Sequence, residues 1–237
     1  MAGCVGALSR SSRLRELMQA KKPFIVIEGI DAAGSSTQTA LLVDRLQRAG
    51  KTPLQLHFPQ EDTKTGQLIY DKFLRTGKMG QLSRREQALL YIADFYSRAD
   101  DIAAVLGGDS PYDMVVADRW ATSTLAYQTM NLTGAKRTAM LDWLTWIMRE
   151  GKPRLSWPDV VIFLDTPLAV AQKRLGKKKD FFEASLNKQR SIRTSYCRLA
   201  DQYKWITVSS VDDEGDRTRQ DISDEVWGIV RQLADDN

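Results

Sequence analysis

Five short apolar runs are spaced along the chain, and each has the length and composition of a buried β-strand. They occupy residues 24–28 (FIVIE), 53–58, 114–117 (MVVA), 159–164 (DVVIFL) and 205–208 (WITV). Between them, apolar residues recur at helical spacing, as Leu42, Leu46 and Ala49 do before Gly50. Continuous apolar strands that alternate with helices are typical of a parallel sheet covered on both faces. The pattern therefore predicts a three-layer α/β fold with a five-stranded parallel sheet flanked by helices.

The capping-box spacing Ser83-x-x-Glu86 predicts the start of a long helix that runs toward Leu106. Helical periods also cover residues 123–130 and 136–150. The chain shows no internal repeat and no interdomain linker. We therefore predict an N-terminal extension over residues 1–22 and one domain over residues 23–237.

The composition is that of a folded protein, with 237 residues, 43% hydrophobic and 27% charged positions and seven prolines. This excludes disordered and collagen-like classes. Because no run approaches the roughly 18 uncharged apolar residues of a membrane span, we expect no membrane partner. The net charge of +4 suits an anionic small molecule as well as nucleic acid. Acids are interspersed with the basic residues along most of the chain, so we expect no nucleic-acid partner.

The cysteines and the N-terminal segment bear on the compartment. Cys4 and Cys197 form neither a disulfide framework nor a metal-binding set, which favours a reducing, cytoplasmic location. The first 22 residues hold five basic residues against one acid, together with three serines. This composition resembles a transit peptide weakly, so either a plain tail or an organellar address fits it.

A glycine-bearing loop follows the first strand and opens the first helix, with the sequence Gly29-Ile30-Asp31-Ala32-Ala33-Gly34-Ser35-Ser36. The G-x-x-x-x-G spacing lets backbone amides wrap a phosphate at a helix N-terminus, and Ser36 would place its hydroxyl on Mg²⁺. Ser35, however, stands where the standard motif has the lysine that reaches the β- and γ-phosphates. The spacing alone fits a plain turn equally well, and the flanking strand and helix favour the phosphate site.

Asp118 and Arg119 follow the third strand directly, at the edge where an open α/β sheet presents its ligands. An acid there can hold Mg²⁺ through water, and an arginine can bind a phosphate through two hydrogen bonds. The alternative interpretation is a surface ion pair.

Four segments in series resemble the thymidylate kinases, which are P-loop nucleoside monophosphate kinases. They are FIVIEGIDAAGSSTQ (24–38), HFP (57–59), ADRW followed by STLAYQ (117–128), and PDVVIFLD (158–165). The resemblance extends over residues 24–233. It implies a P-loop NTPase fold with a short lid at about residues 176–183, and a homodimer. It also implies Mg²⁺-dependent transfer of the γ-phosphate of ATP to dTMP, giving dTDP and ADP for dTTP synthesis.

The same resemblance assigns roles to single residues. Asp31 would approach the sugar and phosphates, Arg119 would bind the acceptor phosphate, and Asp118 would lie near the metal with Ser36. Arg174 would lie against adenine. The residues implied in binding the ATP phosphates are Gly29, Ala32, Ala33, Gly34, Ser35, Ser36 and Thr37. Those implied on the acceptor side are His57, Phe58, Pro59, Tyr91, Phe95, Arg98, Tyr127 and Gln128, with a cis peptide common at the position of Phe58-Pro59.

Three positions depart from the family pattern. Loss of the loop lysine at Ser35 should cost on the order of 3 to 5 kcal/mol of transition-state stabilisation unless another cation reaches the same oxygens. We hypothesise that a lid lysine does so, and the candidates are Lys177, Lys178 and Lys179. His57 stands where many members have an arginine near the acceptor phosphate. Phe95 stands where many place an arginine that binds the thymine carbonyl, a role that Arg98 would have to take over.

These departures leave two alternatives to a dTMP kinase. One is a homologue that binds nucleotides but catalyses poorly because Ser35 replaces lysine. The other is a kinase for a different pyrimidine monophosphate such as dUMP. In addition, Tyr91 and Phe95 lie at core spacing, so plain packing also explains them.

Overall fold

A central parallel sheet organises the molecule. The computed structural model describes residues 22–174 and 186–234. The five strands follow the order β2-β3-β1-β4-β5, and every neighbouring pair is parallel. Their bounds are β1 (Phe24–Gly29), β2 (Pro53–His57), β3 (Met114–Asp118), β4 (Val160–Asp165) and β5 (Ile206–Ser209). A small antiparallel hairpin follows β5 and consists of β6 (Val211–Asp212) and β7 (Gly215–Asp216).

Helices connect the strands. The α-helices are α1 (Ser35–Arg48), α2 (Lys64–Leu68), α3 (Arg84–Tyr96), α4 (Ala99–Gly107), α5 (Ala121–Thr129), α6 (Gly134–Thr145), α7 (Leu168–Arg174), α8 (Leu186–Tyr203) and α9 (Arg219–Ala234). Two π-helical segments, Ile69–Leu74 and Trp146–Glu150, extend α2 and α6, and a 3₁₀ turn spans Lys78–Gln81. Within residues 22–174 and 186–234, no helix is both long enough and apolar enough to cross a membrane.

The core lies on both sides of β1, which is the middle strand. Val26 is paired with Ala117 of β3 on one side and with Val161 of β4 on the other. All six residues of β1 are buried, because helices cover both faces of the sheet. Burial on both faces explains why the strand is a continuous apolar run rather than an alternating one. Glu28 is the only charged residue in it.

The five predicted strands and their parallel arrangement are confirmed. The capping box is also present, since Glu86 donates its amide to the Ser83 hydroxyl and accepts from the Ser83 amide. The single long helix predicted from Ser83 to Leu106 is wrong, because α3 ends at Tyr96 and α4 begins at Ala99. At the break, the Ser97 hydroxyl donates to the carbonyl oxygen of Asp94 at 2.5 Å.

The helical turns between residues 64 and 81 were not predicted. The helix break at Ser97 was also not predicted. A serine that bonds to nearby backbone competes with helix continuation, and hydrophobic periodicity does not reveal that competition. The prediction of one domain over 23–237 includes residues outside the described ranges and stays a prediction. Residues 1–21 of the predicted N-terminal extension also lie outside them.

A buried carboxylate holds the loop that follows β2. Asp94 of α3 accepts hydrogen bonds from the Gln60 amide (2.9 Å) and from the hydroxyls of Thr63 (2.8 Å) and Thr65 (2.9 Å). The loop begins at a cis Phe58–Pro59 peptide. Gly66 packs so closely on it that an added Cβ would lie 1.6 Å from the Gln60 carbonyl oxygen. The loop therefore has little room to move.

We predict that Gly66→Ala lowers the free energy of unfolding by about 3 kcal/mol, because the new methyl group would overlap backbone atoms that cannot give way cheaply. Gly228→Ala is the matched control. Gly228 lies inside α9 with no atom within 4 Å of an added Cβ. That change should raise the same free energy by about 0.5–1 kcal/mol. Urea denaturation of both variants measures the effects, and equal stabilities would contradict the close approach.

Candidate active site

The loop after β1 wraps toward the N-terminus of α1. Ala32 and Gly34 both have positive φ (62° and 101°), and the Ala33 amide donates to the Ile30 carbonyl oxygen at 3.0 Å. Among the described residues, no side chain caps the first turn of α1. The amides at this helix start therefore remain available to an anion, and the helix dipole favours negative charge there.

Arg119 connects the end of β3 to this loop. Its backbone has φ 67°, and its amide donates to the Ile27 carbonyl oxygen at 3.0 Å. The guanidinium forms an ion pair with Asp31 and donates to the Tyr127 hydroxyl at 3.0 Å. Burial lowers the pKa of Arg119, but the electrostatic effects of Tyr127 and Asp31 outweigh it and raise that pKa well above its ordinary value. Arg119 is therefore always charged.

Asp31 receives a second set of hydrogen bonds from other elements. Its Oδ1 accepts from the Tyr127 hydroxyl at 3.0 Å, and its Oδ2 accepts from the Gln189 side-chain amide at 2.8 Å. Tyr127 lies on α5 and Gln189 on α8. One carboxylate thus ties the loop after β1 to two helices.

Asp118 forms the other polar centre, at the end of β3. Its side chain is 3% exposed, its Oδ2 accepts from the Ser36 hydroxyl, and the same oxygen lies 2.9 Å from Nδ1 of His57. Burial raises the pKa of Asp118, but the hydrogen bond with His57 and the charge of Arg119 more than compensate, so that pKa is lowered. Nε2 of His57 lies 3.2 Å from the Tyr70 hydroxyl. Burial raises the pKa of Tyr70 to about 12, which keeps that hydroxyl neutral at physiological pH.

These residues fit a magnesium ion. Oδ1 of Asp118 is buried and has no hydrogen-bond partner among the described residues, and the Ser36 hydroxyl lies beside the same carboxylate. Mg²⁺ is usually held by one or two protein oxygens together with phosphates and waters. Over residues 22–174 and 186–234 there is no cluster of three or more His, Cys, Asp or Glu that could hold a metal alone. The donor set therefore suits an ion that arrives with a nucleotide.

One cavity of about 540 Å³ is lined by Asp31 and Arg119 of the first centre and by Ser36 and His57, the partners of Asp118 in the second. Residues 31–38 line one half, with Arg174, Arg219 and Ile222 beside them. The other half is largely aromatic and is lined by Phe58, Tyr70, Tyr91, Phe95, Trp120 and Tyr127. Arg119 also lines the cavity, and its guanidinium reaches both Asp31 of the first half and Tyr127 of the second.

Comparison with known proteins agrees with this geometry. The family model for thymidylate kinase matches residues 27–222. The chain belongs to the thymidylate kinase family. A probable thymidylate kinase of Thermococcus gammatolerans is 30% identical over 217 residues, which cover 88% of this chain and 96% of the relative. The Plasmodium falciparum thymidylate kinase is 30% identical over 90% of this chain and 91% of its own length.

Two further similarities support the assignment. Human thymidylate kinase is 32% identical over 177 residues, which cover 75% of this chain and 76% of the human protein. The solved structure of thymidylate kinase from Candida albicans superimposes with a TM-score of 0.72 at 22% identity, over 92% of this chain and 94% of that one. The second similarity confirms the α/β fold with its five-stranded parallel sheet.

Most of the residues predicted for the ATP side line the cavity in this member of the thymidylate kinase family. They are Ala32, Ala33, Gly34, Ser35, Ser36 and Thr37. Gly29 ends β1 and is not part of the wall that the described residues form. Arg174 reaches the loop, donating through Nη1 to the Ala33 carbonyl oxygen at 2.9 Å. Lys177, Lys178 and Lys179 lie outside the described residues, so their role stays a prediction.

The acceptor-side predictions divide into two groups. His57, Phe58, Pro59, Tyr91, Phe95 and Tyr127 line the cavity. Gln128 is buried, and neither Gln128 nor Arg98 is among the described residues of the cavity wall. Arg98 is bound by Asp62 at 2.5 Å and by Asp101 at 3.3 Å. Two acids thus hold the arginine that was expected to replace the missing base contact.

The Phe95 ring is mostly packed rather than exposed to the cavity. It is 2% exposed, and its centroid lies 5.3 Å from that of Phe58 and 4.9 Å from that of Trp120. It is therefore both a core residue and part of the aromatic wall.

Three site residues were missed from the sequence. Gln189 contacts Asp31, Tyr70 contacts His57, and Arg219 lines the phosphate-loop half of the cavity. The start of α9 is fixed beside α1 because Gln38 donates to the Arg219 carbonyl oxygen at 3.0 Å. All three residues come from segments without a motif, so only the tertiary structure identifies them.

We predict that Gln189→Met lowers kcat/KM for the acceptor nucleotide about tenfold, because it removes a hydrogen bond to the charged Asp31 while preserving side-chain length. Gln202→Met is the control, since Gln202 lies on the same helix, is exposed and bonds Arg137 at 3.1 Å, and neither residue is among the described ones that line the cavity. Steady-state kinetics measure both variants. Values for Gln189→Met within twofold of the control would exclude a role for Gln189.

Proposed function

We propose that this protein transfers the γ-phosphoryl group of ATP to dTMP, giving ADP and dTDP for dTTP synthesis. The single observation that carries the proposal is the shared cavity. The loop after β1 and the aromatic wall line the same cavity, and Arg119 contacts Asp31 of the loop and Tyr127 of the wall. Such a cavity suits two nucleotides bound end to end, with their phosphates in the middle.

Phosphoryl transfer needs positioning and electrostatic stabilisation more than covalent chemistry. The amides of the loop and of the start of α1 would bind the phosphates of ATP. Arg119 would bind the acceptor phosphate and reduce the repulsion between two anionic substrates. Asp31 holds Arg119 in place and, by the family resemblance, would approach the sugar and phosphates of the bound nucleotide. The aromatic wall would exclude water, which otherwise competes for the phosphoryl group.

Asp118 and Ser36 would hold Mg²⁺. When bound, the ion would supply positive charge that offsets the negative charge of the nucleotide phosphates. The unpartnered oxygen of Asp118 supports this role, because a buried carboxylate oxygen is costly unless something binds it.

Ser35 raises the question of which cation replaces the loop lysine. Our hypothesis is that Lys177, Lys178 or Lys179 does so when the lid covers the phosphates. The alternative is a protein that binds nucleotides without efficient catalysis. The contacts within the described site favour the kinase, since Asp31 still binds Arg119 and Asp118 still binds Ser36.

The acceptor base would be recognised mainly by stacking. Phe95 offers no hydrogen bond and Arg98 is held by two acids. An aromatic wall would still favour thymine over uracil, because burying one extra methyl group is worth about 1–3 kcal/mol. This supports dTMP, with dUMP as the second candidate.

We predict ADP release with ATP, Mg²⁺ and dTMP at a rate in the usual kinase range of about 1–100 s⁻¹, because Arg119, Arg174 and Arg219 line the cavity that contains the phosphate-binding loop. Ser35→Lys is assayed beside the unaltered protein. No turnover by the unaltered protein, with activity restored in the variant, would establish the binding-only alternative.

The same coupled assay separates the acceptors. We expect kcat/KM for dTMP to exceed that for dUMP about tenfold or more. A higher value for dUMP would assign the protein to the other acceptor. Arg119→Ala is the negative control, since it removes the cation at the centre of the cavity.

We also propose that the protein is a homodimer that associates through the face formed by α3 and α6. Leu89 of α3 is 46% exposed, and Trp146, which follows α6, is 58% exposed. Arg85 lies over the ring of Trp143 at 5.6 Å, which brings the two helices together on this face. Large exposed apolar side chains that share one face commonly mark a subunit contact.

We predict that sedimentation of the unaltered protein gives about twice the chain mass of 26.8 kDa. Trp146→Glu should give the monomer mass, because a charge in a buried apolar contact opposes association. Tyr112→Glu, which changes an exposed aromatic residue in the turn before β3, should remain a dimer. A monomeric unaltered protein would contradict the proposal.

A further inference from the structure

Glu28 is a fully buried carboxyl group in the central strand, next to the phosphate-binding loop. Its Oε1 accepts from the Thr122 hydroxyl at 2.5 Å and from the Trp120 amide at 3.3 Å. Its Oε2 accepts from the hydroxyls of Ser123 at 2.6 Å and Tyr196 at 2.8 Å. Four donors from two other elements therefore converge on one side chain.

Such a group is costly in a strand that is otherwise apolar. Burial raises the pKa of Glu28, and the hydrogen bonds from Ser123, Thr122 and Tyr196 oppose that effect. An apolar side chain would satisfy the packing of β1 without this cost. The reason for a carboxyl group at this position therefore lies in the four donors that it binds.

Three of the four donors belong to the segment that directly follows Arg119. This segment starts α5, and among the described residues no side chain of the segment itself caps the helix at Trp120. Glu28 takes that role from the neighbouring strand, since its carboxyl receives the Trp120 amide and faces the positive end of the helix.

The turn at Arg119 depends on these bonds. A non-glycine residue with φ 67° is strained and persists only where surrounding contacts hold it. The amide of Arg119 is held by the Ile27 carbonyl oxygen, and the next amide, of Trp120, is held by Glu28. Together they set the direction in which the guanidinium leaves the strand.

The fourth donor extends the network to α8. Tyr196 lies seven residues after Gln189, which is two helical turns, so both side chains lie on the same face of that helix. One binds Glu28 and the other binds Asp31. Glu28 thereby helps to fix the helix that supports the partner of Arg119.

We propose that Glu28 is a positioning residue for phosphoryl transfer, whose carboxyl holds the turn after Arg119, the start of α5 and the helix α8 in the arrangement that the acceptor nucleotide needs. The inference rests on the proposed kinase function. It concerns the side of the cavity formed by the segment after β3, because Arg119, Trp120 and Ser123 line the cavity and Glu28 binds the Trp120 amide and the Ser123 hydroxyl.

Glu28→Leu and Glu28→Gln together test this role. Leucine removes the carboxyl acceptor from all four donors, and the Tyr196 hydroxyl then keeps only its bond to the Ser123 hydroxyl at 3.1 Å among the described residues. Glutamine keeps the length, and its oxygen can accept from Trp120 while its amide donates to the hydroxyls of Ser123 and Tyr196, which can reverse their direction. We expect Glu28→Leu to lower kcat at least tenfold and to raise the Kd of dTMP at least tenfold, with the Kd of ATP within twofold. Glu28→Gln should stay within about fivefold of the unaltered protein in all three.

Ser195→Ala is the matched control. It removes the buried Thr129–Ser195 hydrogen bond at 3.0 Å, which also joins α5 to α8 but lies at the other end of α5. This variant should keep both affinities and kcat within twofold. The unaltered protein in the same assay tests the kinase function by itself. The dTMP and ATP affinities, measured by calorimetry, test Glu28 even where turnover is absent.

The proposal is overturned if folded Glu28→Leu binds dTMP as the unaltered protein does, or if it loses ATP and dTMP affinity equally. Equal losses in the leucine and glutamine variants would also overturn it, because the hydrogen-bond pattern would then be irrelevant. If Glu28→Leu does not fold, Thr122→Val decides, since it removes one donor and leaves the carboxyl. A threefold or greater loss of dTMP affinity with unchanged ATP affinity is expected there, and unchanged dTMP affinity would refute the role.

Discussion

The ion pair between Asp31 and Arg119 joins the loop after β1 to the residue after β3. These strands are neighbours in the sheet, and their carboxyl ends lie at the same edge, as the parallel register requires. This ion pair fixes the position of the Arg119 guanidinium between the two halves of the cavity. Without it, the phosphate-binding loop and the aromatic wall would each remain a plausible binding surface, but no charged group would link them.

This edge of the sheet holds three buried or nearly buried carboxylates, and each is stabilised differently. Asp31 receives a guanidinium, Asp118 receives Ser36 and His57, and Glu28 receives hydroxyls and one amide. Arg119 influences all three groups by its charge. The charge of one arginine is thus shared among three carboxylates, and anionic nucleotides need further cations near their phosphates. This is the electrostatic reason to expect a metal ion and basic residues from the lid.

Strain accompanies these contacts. Ala32 and Arg119 both adopt positive φ, and they stand in the two loops that meet in the cavity. Strained residues persist where the surrounding contacts over-determine them, and such places are often functional. The hydrogen bonds of Asp31 and Glu28 are such contacts. The buried polar groups near β1 therefore both stabilise the two strained turns.

The sequence was most informative where a local pattern has one physical meaning. Three features are of this kind: the strands, the capping box at Ser83 and the loop around Gly34. Burial on both faces, cap chemistry and a glycine-bearing turn at a helix start can each be recognised from a few consecutive residues. The break after Tyr96 was missed because it depends on side-chain bonds to backbone. Arg98 binds Asp62, which is distant in sequence, so no local pattern reveals that contact, and a reach of Arg98 to the base stays a prediction. Gln189 and Arg219 required the tertiary structure, because neither belongs to a motif.

The most direct test of the central claim is whether both nucleotides occupy the one cavity with their phosphates meeting at Arg119. Calorimetric titration with a bisubstrate compound, adenosine joined to thymidine through five phosphates, measures this. The account predicts one molecule bound per chain, with the binding abolished by saturating ATP or by saturating dTMP. Binding of the compound that persists beside saturating dTMP would contradict it, because the acceptor would then lie elsewhere.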